Sequence, residues 1–278
     1  MGRITRIELY KVFTRKRSYI GFAAILIIVL ITLGAIAWEG KDVFDFLTQN
    51  LTQSFYLQGN LVNGYMESYL VLNFLWVHIP LLIVIVTGDL LSGEANAGTL
   101  RVVLTRPVSR VRLVTAKFNA GMIYSFTLVI FLAVISIGSG ILLLGRGDLI
   151  VLMDTLNIFP SHDVLWRFLM AYLFGLLSMT TIASLSLLLS AMSNNSLGPI
   201  LSTMAVIIVF TLISSLDIRV FDLIKPYLFT SYLDTWQMFF SFNIDRAEVI
   251  KNGAVLLGHT GLFYGLTVFC FSRKDILT

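Results

Sequence analysis

Long runs of apolar residues alternate along the chain with short charged segments. Six runs lack Asp, Glu, Lys and Arg, and each approaches the roughly 20 residues that a helix needs to cross about 30 Å of hydrocarbon. They are Tyr19–Ala37, Tyr69–Gly88, Phe118–Leu144, Phe168–Met192, Leu197–Leu216 and Ala254–Phe271. The runs do not alternate as membrane barrel strands do. The pattern therefore predicts an all-α integral membrane protein, with six transmembrane helices in a single domain over residues 1–278.

Composition supports a membrane location for these runs. The 278 residues are 57% hydrophobic and only 13% charged, whereas soluble domains carry about 25% charged residues. The formal net charge is +4, but the basic residues lie between the apolar runs and do not form one face. We therefore expect a lipid bilayer, and no nucleic acid, as the surroundings of the chain.

The distribution of Lys and Arg predicts the orientation. If the N-terminus is cytoplasmic, the inside segments 1–18, 89–117, 193–196 and 272–278 hold 13 of the 20 basic residues. Basic residues concentrate on the cytoplasmic side of membrane proteins. The count thus predicts a multi-pass protein of the cytoplasmic (inner) membrane with both termini inside.

Two segments outside the spans have amphipathic patterns. Within residues 1–18, a helical stripe of Ile4, Ile7, Tyr10 and Phe13 lies among basic residues, which predicts a helix in the cytoplasmic interface. A solvated basic tail is the alternative. The outer loop 217–253 is rich in Phe and Trp, which predicts short apolar helices that either enter the outer interface or cover the mouth of a pathway.

The cytoplasmic segment 89–117 carries the most specific pattern. Gly98 and Pro107 divide it into a short helix, a turn and a second helix that leads into the third span. Its order is Ser-x-Glu at 92–94, Gly-Thr-Leu at 98–100, Leu104, Pro-Val-Ser-Arg at 107–110 and Lys117. This order resembles the signature of ABC type-2 transporter permeases, and the likeness in span number and termini covers the whole chain.

The resemblance implies a function and partners. Segment 89–117 would be a coupling helix that sits on a separate ABC ATPase, with two ATPase copies and a second permease chain, identical or different, forming the complex. The partner-facing residues would be Glu94, Gly98, Thr99, Arg101, Arg106, Pro107 and Arg110. The chain would be a prokaryotic transport subunit, more in keeping with export than import, and its spans do not specify a substrate.

The resemblance also assigns the chemistry to the partner. The sequence has no G-x-x-x-x-G-K-[ST] loop, which is what cradles nucleotide phosphates. We therefore expect no catalytic residue and no cofactor in this chain, with ATP and magnesium bound by the ATPase subunit.

An intramembrane enzyme and an ATP-independent channel or transporter are the alternatives. The three histidines lack an H-E-x-x-H context, so no metal site is expected, and Ser139 with His259 is a weak match to a serine protease. A channel or ion-coupled transporter usually has a polar group or a broken helix near mid-membrane. His78, close to Pro80, and Asn73 are the residues that we expect could line a pathway.

Overall fold

The structure is a computed structural model that describes residues 2–52, 62–105, 107–153 and 156–275. In chain order, the described elements are α1 (Gly2–Thr14), α2 (Ile20–Thr52), α3 (Gly64–Trp76), α4 (Ile79–Thr87), α5 (Ser92–Asn96), α6 (Thr99–Leu104), α7 (Arg110–Leu144), β1 (Leu149–Leu152), β2 (Leu156–Phe159), α8 (Ser161–Met192), α9 (Leu197–Ser215) and α10 (Arg246–Arg273). The long helices run alternately up and down. We call the end that carries α1, α5 and α6 the base, and the opposite end, which carries the antiparallel pair β1–β2, the hairpin end.

Five of the described helices are long and apolar enough to cross a membrane, and α3 with α4 makes a sixth if the bent pair is one span. The central one is α8, which packs against α10, α7, α4 and α9. In the most apolar 18-residue stretch of α8, 78% of the residues are buried. The corresponding stretches of α2, α7, α9 and α10 are at most 28% buried. The peripheral helices thus turn most of their apolar surface outward, as expected where lipid is the solvent. The prediction of an all-α membrane protein is confirmed.

The helices are longer than the apolar runs that predicted them. Asn63 begins α3 by accepting the N–H groups of Tyr65 and Met66, at 3.0 and 3.2 Å. This start brings Glu67 into the helix, and α7 and α8 likewise include Lys117 and Arg167. These charged residues lie within the helices but just outside the apolar runs, because the helices begin earlier than the runs do. Asn63 and Ser109 cap α3 and α7 with their side chains, whereas α8 begins after Pro160 without a side-chain cap.

The second span is broken. Helices α3 and α4 meet at a bend of 51°, and Pro80 occupies the first turn of α4. Proline cannot donate the backbone hydrogen bond that would continue α3, which explains the break. His78 lies at this break, as its position before Pro80 suggested.

The segment between α9 and α10 folds over the hairpin end as short 3-10 turns, the longest being Phe229–Phe240. Phe229, Trp236 and Phe240 are fully buried against the bundle, and Trp76 donates its indole N–H to Asp234, at 2.9 Å. Since α10 begins at Arg246, the turns end earlier than the loop boundary at residue 253 that the sequence predicted.

Two glycines allow α3 and α7 to touch backbone to backbone near the hairpin end. A Cβ atom on Gly64 would lie 2.2 Å from the carbonyl carbon of Gly140. The N–H of Gly64 also donates to the carbonyl of Gly145, at 3.0 Å. Small residues permit such close helix contacts in membrane proteins.

Gly64→Ala is expected to force α3 and α7 apart. Overpacking of this kind lowers the free energy of unfolding by about 1–3 kcal/mol, measurable by denaturation in detergent micelles. Gly138→Ala is the matched control on α7, since a Cβ there meets nothing within 4 Å. The control should be neutral or slightly stabilising; equal stability of the two variants would contradict the close contact.

Candidate functional site

Four charged side chains from three separate elements meet at the base. Lys11 of α1 donates from Nζ to Glu8 Oε1 and to Glu94 Oε1 of α5, at 2.7 and 2.8 Å. Lys117 of α7 donates to Glu8 Oε2 and to Glu94 Oε1, at 2.7 and 2.9 Å. Each lysine thus bridges both carboxylates. We call these four residues the base cluster.

Three of the four residues of the base cluster are almost entirely removed from solvent, and the Lys11 side chain is 34% exposed. Glu8, Glu94 and Lys117 are 3%, 4% and 1% exposed. Burying an isolated charge costs several kcal/mol, and attraction between opposite charges offsets that cost only when the geometry is good. Two acids and two bases at these distances balance in charge, which makes the burial possible.

The ionisation of the cluster follows from this geometry. Burial disfavours the charged form of Glu94, but Lys117 and Lys11 outweigh it and leave the pKa of Glu94 below its usual value of 4.5. Burial also opposes the charge of Lys11, yet Glu8 and Glu94 raise the pKa of Lys11 above 10.5. Both shifts favour the charged forms, so the geometry stabilises the opposite charges of Glu94 and Lys11.

A second set of ion pairs joins the residues that follow α1 to the residues that precede α5. Asp89, 1% exposed, accepts Arg15 at 2.6 Å and also Arg17. In addition, Ser190 of α8 accepts the N–H groups of Leu91 and Ser92, at 3.1 and 2.9 Å. The segment that leads into α5 is therefore held by the residues after α1 and by the central helix.

A cleft of about 480 Å³ lies above the base cluster, between α1 and α6. Its walls include Ile4, Ile7, Val102, Val103, Val108 and Leu113. Glu8, Lys11 and Glu94 form part of its lining. The cleft thus combines apolar walls with buried charge.

The residues predicted to face a partner divide into two groups. Gly98, Thr99 and Pro107 are exposed at the base, and Gly98 has a φ of +69°, a left-handed turn that glycine adopts without strain. Glu94 instead points into the base cluster, and Arg110 is half-buried, donating to the carbonyls of Phe271, Ser272 and Lys274. Of Arg101 only the backbone is described, and Arg106 lies outside the described residues.

The two predicted pathway residues lie away from this site, in the second span. His78 is exposed, its Nδ1 lies 2.8 Å from the Phe74 carbonyl, and its ring stacks on Phe74. Asn73 is half-buried and donates to the carbonyl of Tyr69. Their role in a pathway stays a prediction.

The candidate protease pair does not meet. Ser139 donates to the carbonyl of Ile135 in its own helix, and His259 bonds to the carbonyls of Val255 and Tyr227. Within the described part of the chain, no group of three His, Cys, Asp or Glu side chains could hold a metal ion.

Sequence reasoning missed Glu8, Lys11 and Asp89. In α1 it identified an apolar stripe, but Ile7 and Tyr10 of that stripe are 48% and 72% exposed, while Glu8 and Val12 face the bundle. The sequence did contain one signal for this site. Asp89 and Glu94 are the two acidic residues of segment 89–117, whose other charged residues are all basic.

A bundle of helices that are long and apolar enough to cross a membrane defines the class as multi-pass membrane proteins. The chain matches the ABC-2 family transporter protein family over residues 4–276. It belongs to that family and is an ABC transporter permease. Comparison with curated proteins gave no match.

Lys117→Met is expected to lower the free energy of unfolding by about 3–5 kcal/mol, because it leaves two buried carboxylates short of a cation. Adding Glu8→Gln should restore part of this loss, since one uncompensated charge is then removed. A double-mutant cycle of denaturation in detergent measures the coupling. Strictly additive effects of the two changes would contradict the base cluster.

Acid is expected to release α1 from the bundle. The folded pKa of Glu94 is depressed, so its pairs contribute fully above pH 4.5 and lose their contribution as pH falls through the folded value. The raised pKa of Lys11 keeps its contribution complete up to pH 10.5, with loss only above that. Spin labels at Arg3→Cys and Arg112→Cys, in a Cys270→Ser background, would report the separation of α1 from α7.

We expect a narrow distance distribution at pH 7 and a broad one well below pH 4.5. The control adds Lys117→Met to the labelled chain, which should broaden the distribution at both pH values. A narrow distribution that persists in acid would show that other contacts hold α1.

Proposed function

We propose that the chain is the membrane subunit of an exporter that a separate ABC ATPase drives through the base. The observation that carries the proposal is the base cluster, because it joins the predicted coupling segment to α1 and to α7. A displacement applied to α5 and α6 is thus passed to a membrane-spanning helix without an intervening flexible link.

The cleft supports docking of a protein partner at this place. Its apolar walls can accept apolar side chains, and the exposed basic residues Arg3, Arg6, Lys16 and Arg112 lie in the elements around it. We therefore expect the ATPase to present apolar side chains flanked by acidic ones, because complementary charge steers association and fixes orientation.

The proposed cycle needs two states that ATP can bias. Two ATPase subunits bind ATP and magnesium, close together and move the coupling segments of two permease chains, identical or related. Force enters α7 through Lys117 and α10 through Arg110. The shared cavity then changes the side to which it opens. In this arrangement the chain itself catalyses nothing and lies in a prokaryotic inner membrane with both termini in the cytoplasm.

Purification of the chain from its native membranes in mild detergent, followed by mass spectrometry, tests the partner. We expect a stoichiometric soluble ATPase. Val102→Glu, at the cleft edge and 62% exposed, should release it because the substitution places a carboxylate in an apolar contact. Ile218→Glu, 45% exposed beyond α9 at the hairpin end, is the matched control and should retain it.

The coupling role is tested by activity in the reconstituted complex. Glu94→Ala, or Gly98→Pro at the left-handed turn, should separate ATP hydrolysis from transport while the chain remains in the membrane. If both variants keep substrate-dependent ATPase activity and transport, the coupling assignment fails. A chain that reproducibly purifies alone would instead favour the channel or intramembrane enzyme.

A further inference from the structure

Glu67 is a buried carboxyl without a cation. It lies in the first turn of α3 and is 0% exposed. Its Oε1 lies 3.2 Å from the hydroxyl of Thr32 on α2, and its Oε2 would lie 2.8 Å from a Cβ atom on Gly140 of α7. Among the residues that the structure describes, no Lys, Arg or His pairs with it. The charge balance that permits burial in the base cluster is therefore missing here.

The carboxyl lies inside the membrane-spanning part of the bundle. Glu67 precedes the second apolar run by two residues, but its neighbours belong to the first and third runs. Thr32 lies five residues before the end of the first run, and Gly140 lies four residues before the end of the third. At 1.5 Å per helical residue, this depth is about 6–8 Å. An ionisable group at such a depth is costly unless it is paired or faces water, and it commonly marks a functional site.

Backbone N–H groups can stabilise a carboxylate, but those in the first turn of α3 are engaged elsewhere. Asn63 accepts three of them, from Tyr65 and Met66 at its side chain and from Glu67 itself at its carbonyl, at 3.1 Å. The N–H of Gly64 donates to the carbonyl of the residue that follows α7. The carboxyl thus receives no hydrogen bond from the start of its own helix.

The two neighbouring hydroxyl groups also have better acceptors than Glu67. Thr32 Oγ1 lies 2.9 Å from the carbonyl of Val29. Ser68 Oγ lies 3.5 Å from Glu67 Oε2 but only 2.7 Å from the carbonyl of Gly64. Because a hydroxyl has one hydrogen and two lone pairs, a carboxylate would meet lone pairs on both sides. A protonated carboxyl can instead donate to Thr32.

The other titratable groups around this contact supply no cation to it. They are Glu39 on α2, Tyr65 and Tyr69 on α3, Arg167 and Tyr172 on α8, and Arg146 and Asp148 after α7. The hydroxyl of Tyr172 bonds to Ser136, at 3.1 Å. Arg167 donates to Asp163, at 2.8 Å, and Arg146 is exposed beyond the end of α7.

The contact leaves no space for a ligand larger than a proton. The backbones of α3 and α7 touch beside Glu67, at Gly64 and Gly140. Cations such as Ca²⁺ and Mg²⁺ need about six or more oxygen ligands. Within the described part of the chain, Glu67 belongs to no group of three side chains that could hold a metal ion. A proton on Glu67 needs only the lone pair of Thr32.

We propose that Glu67 binds a proton at the contact of α2, α3 and α7, and that it releases this proton to water when α3 leaves α7. In the release step the carboxyl O–H bond breaks, the carboxylate remains on Glu67, and water that enters from the hairpin end takes the proton. Acid therefore favours the packed state and alkali the separated one. The site is separate from the base and does not rest on the proposed ATPase partner.

Infrared spectroscopy of the full chain in lipid vesicles tests the protonation without a mutation. The chain is made with glutamate that carries a carbon-13 label in its side-chain carboxyl. Of its five glutamates, Glu8 and Glu94 pair with lysines, and Glu39 and Glu248 are exposed. At neutral pH, therefore, Glu67 alone should give the label-shifted band of a protonated carboxyl.

Variants assign the band and connect it to packing. Glu67→Gln should remove it, since the amide is neutral, has nearly the same shape and can still donate to Thr32. The matched control Glu248→Gln should keep it. Gly140→Ala should weaken the band because the added methyl group displaces the carboxyl, whereas Gly138→Ala, whose Cβ meets nothing within 4 Å, should not.

The pH dependence of unfolding in detergent micelles tests the release. A proton that the packed state holds and the unfolded chain loses stabilises fully below about pH 4.3, the value of an exposed Glu, and this stabilisation is lost as pH rises. Relative to Glu67→Gln, the folding equilibrium constant of the unsubstituted chain should fall about tenfold for each pH unit above that value, until packed Glu67 itself ionises. Glu248→Gln should behave as the unsubstituted chain does.

Absence of the labelled band at neutral pH would overturn the proposal, as would a band that Glu67→Gln leaves unchanged. Parallel pH dependence in the unsubstituted chain and Glu67→Gln would show that no proton is released. A missing band together with stability that rises with sodium concentration would assign the carboxyl to a cation instead. If Glu67→Gln fails to fold, the labelled band and its loss in Gly140→Ala, but not in Gly138→Ala, still support the site.

Discussion

The burial of Lys117 is the constraint on which the base depends. An ammonium group at 1% exposure on a membrane helix requires anions within a few ångströms. The chain supplies Glu8 from one direction and Glu94 from another, and Lys11 then balances the second negative charge. Satisfying one lysine therefore fixes three elements together.

This constraint explains why short elements can be ordered at the base. Helix α5 has five residues, far fewer than an isolated helix needs for stability in water. It is held by Glu94 to two lysines, by Asp89 to two arginines, and by Ser190 to the central helix. Directional bonds thus replace the apolar area that so short a segment cannot bury, and they fix its position as well as its presence.

How far the sequence predicts this arrangement depends on the range of each interaction. The long apolar helices, the break near Pro80 and the turn at Gly98 follow from local chemistry, and the structure has all three. The base cluster pairs residues 109 positions apart, Glu8 and Lys117, and no local pattern encodes such a contact. For the same reason the apolar stripe of α1 was visible in the sequence, whereas the face that packs on the bundle was not.

Polar contacts at the base also link α7, α8 and α10 to one another. Arg110 at the start of α7 binds the last carbonyls of α10, and Lys274 donates to the carbonyls of Ala191 and Ser193 at the end of α8. Helices α7, α8 and α10 therefore share polar links at the end where a partner would act. In the most apolar stretch of α9, only 17% of the residues are buried, the lowest share among the five long described helices. Helix α3 is separated from α4 by a bend. If a partner acts on segment 89–117 as proposed, the linked helices would take up the load first. Relative movement would then be expected at α9, which has little buried surface, and at the break beside His78, where α3 and α4 meet at an angle.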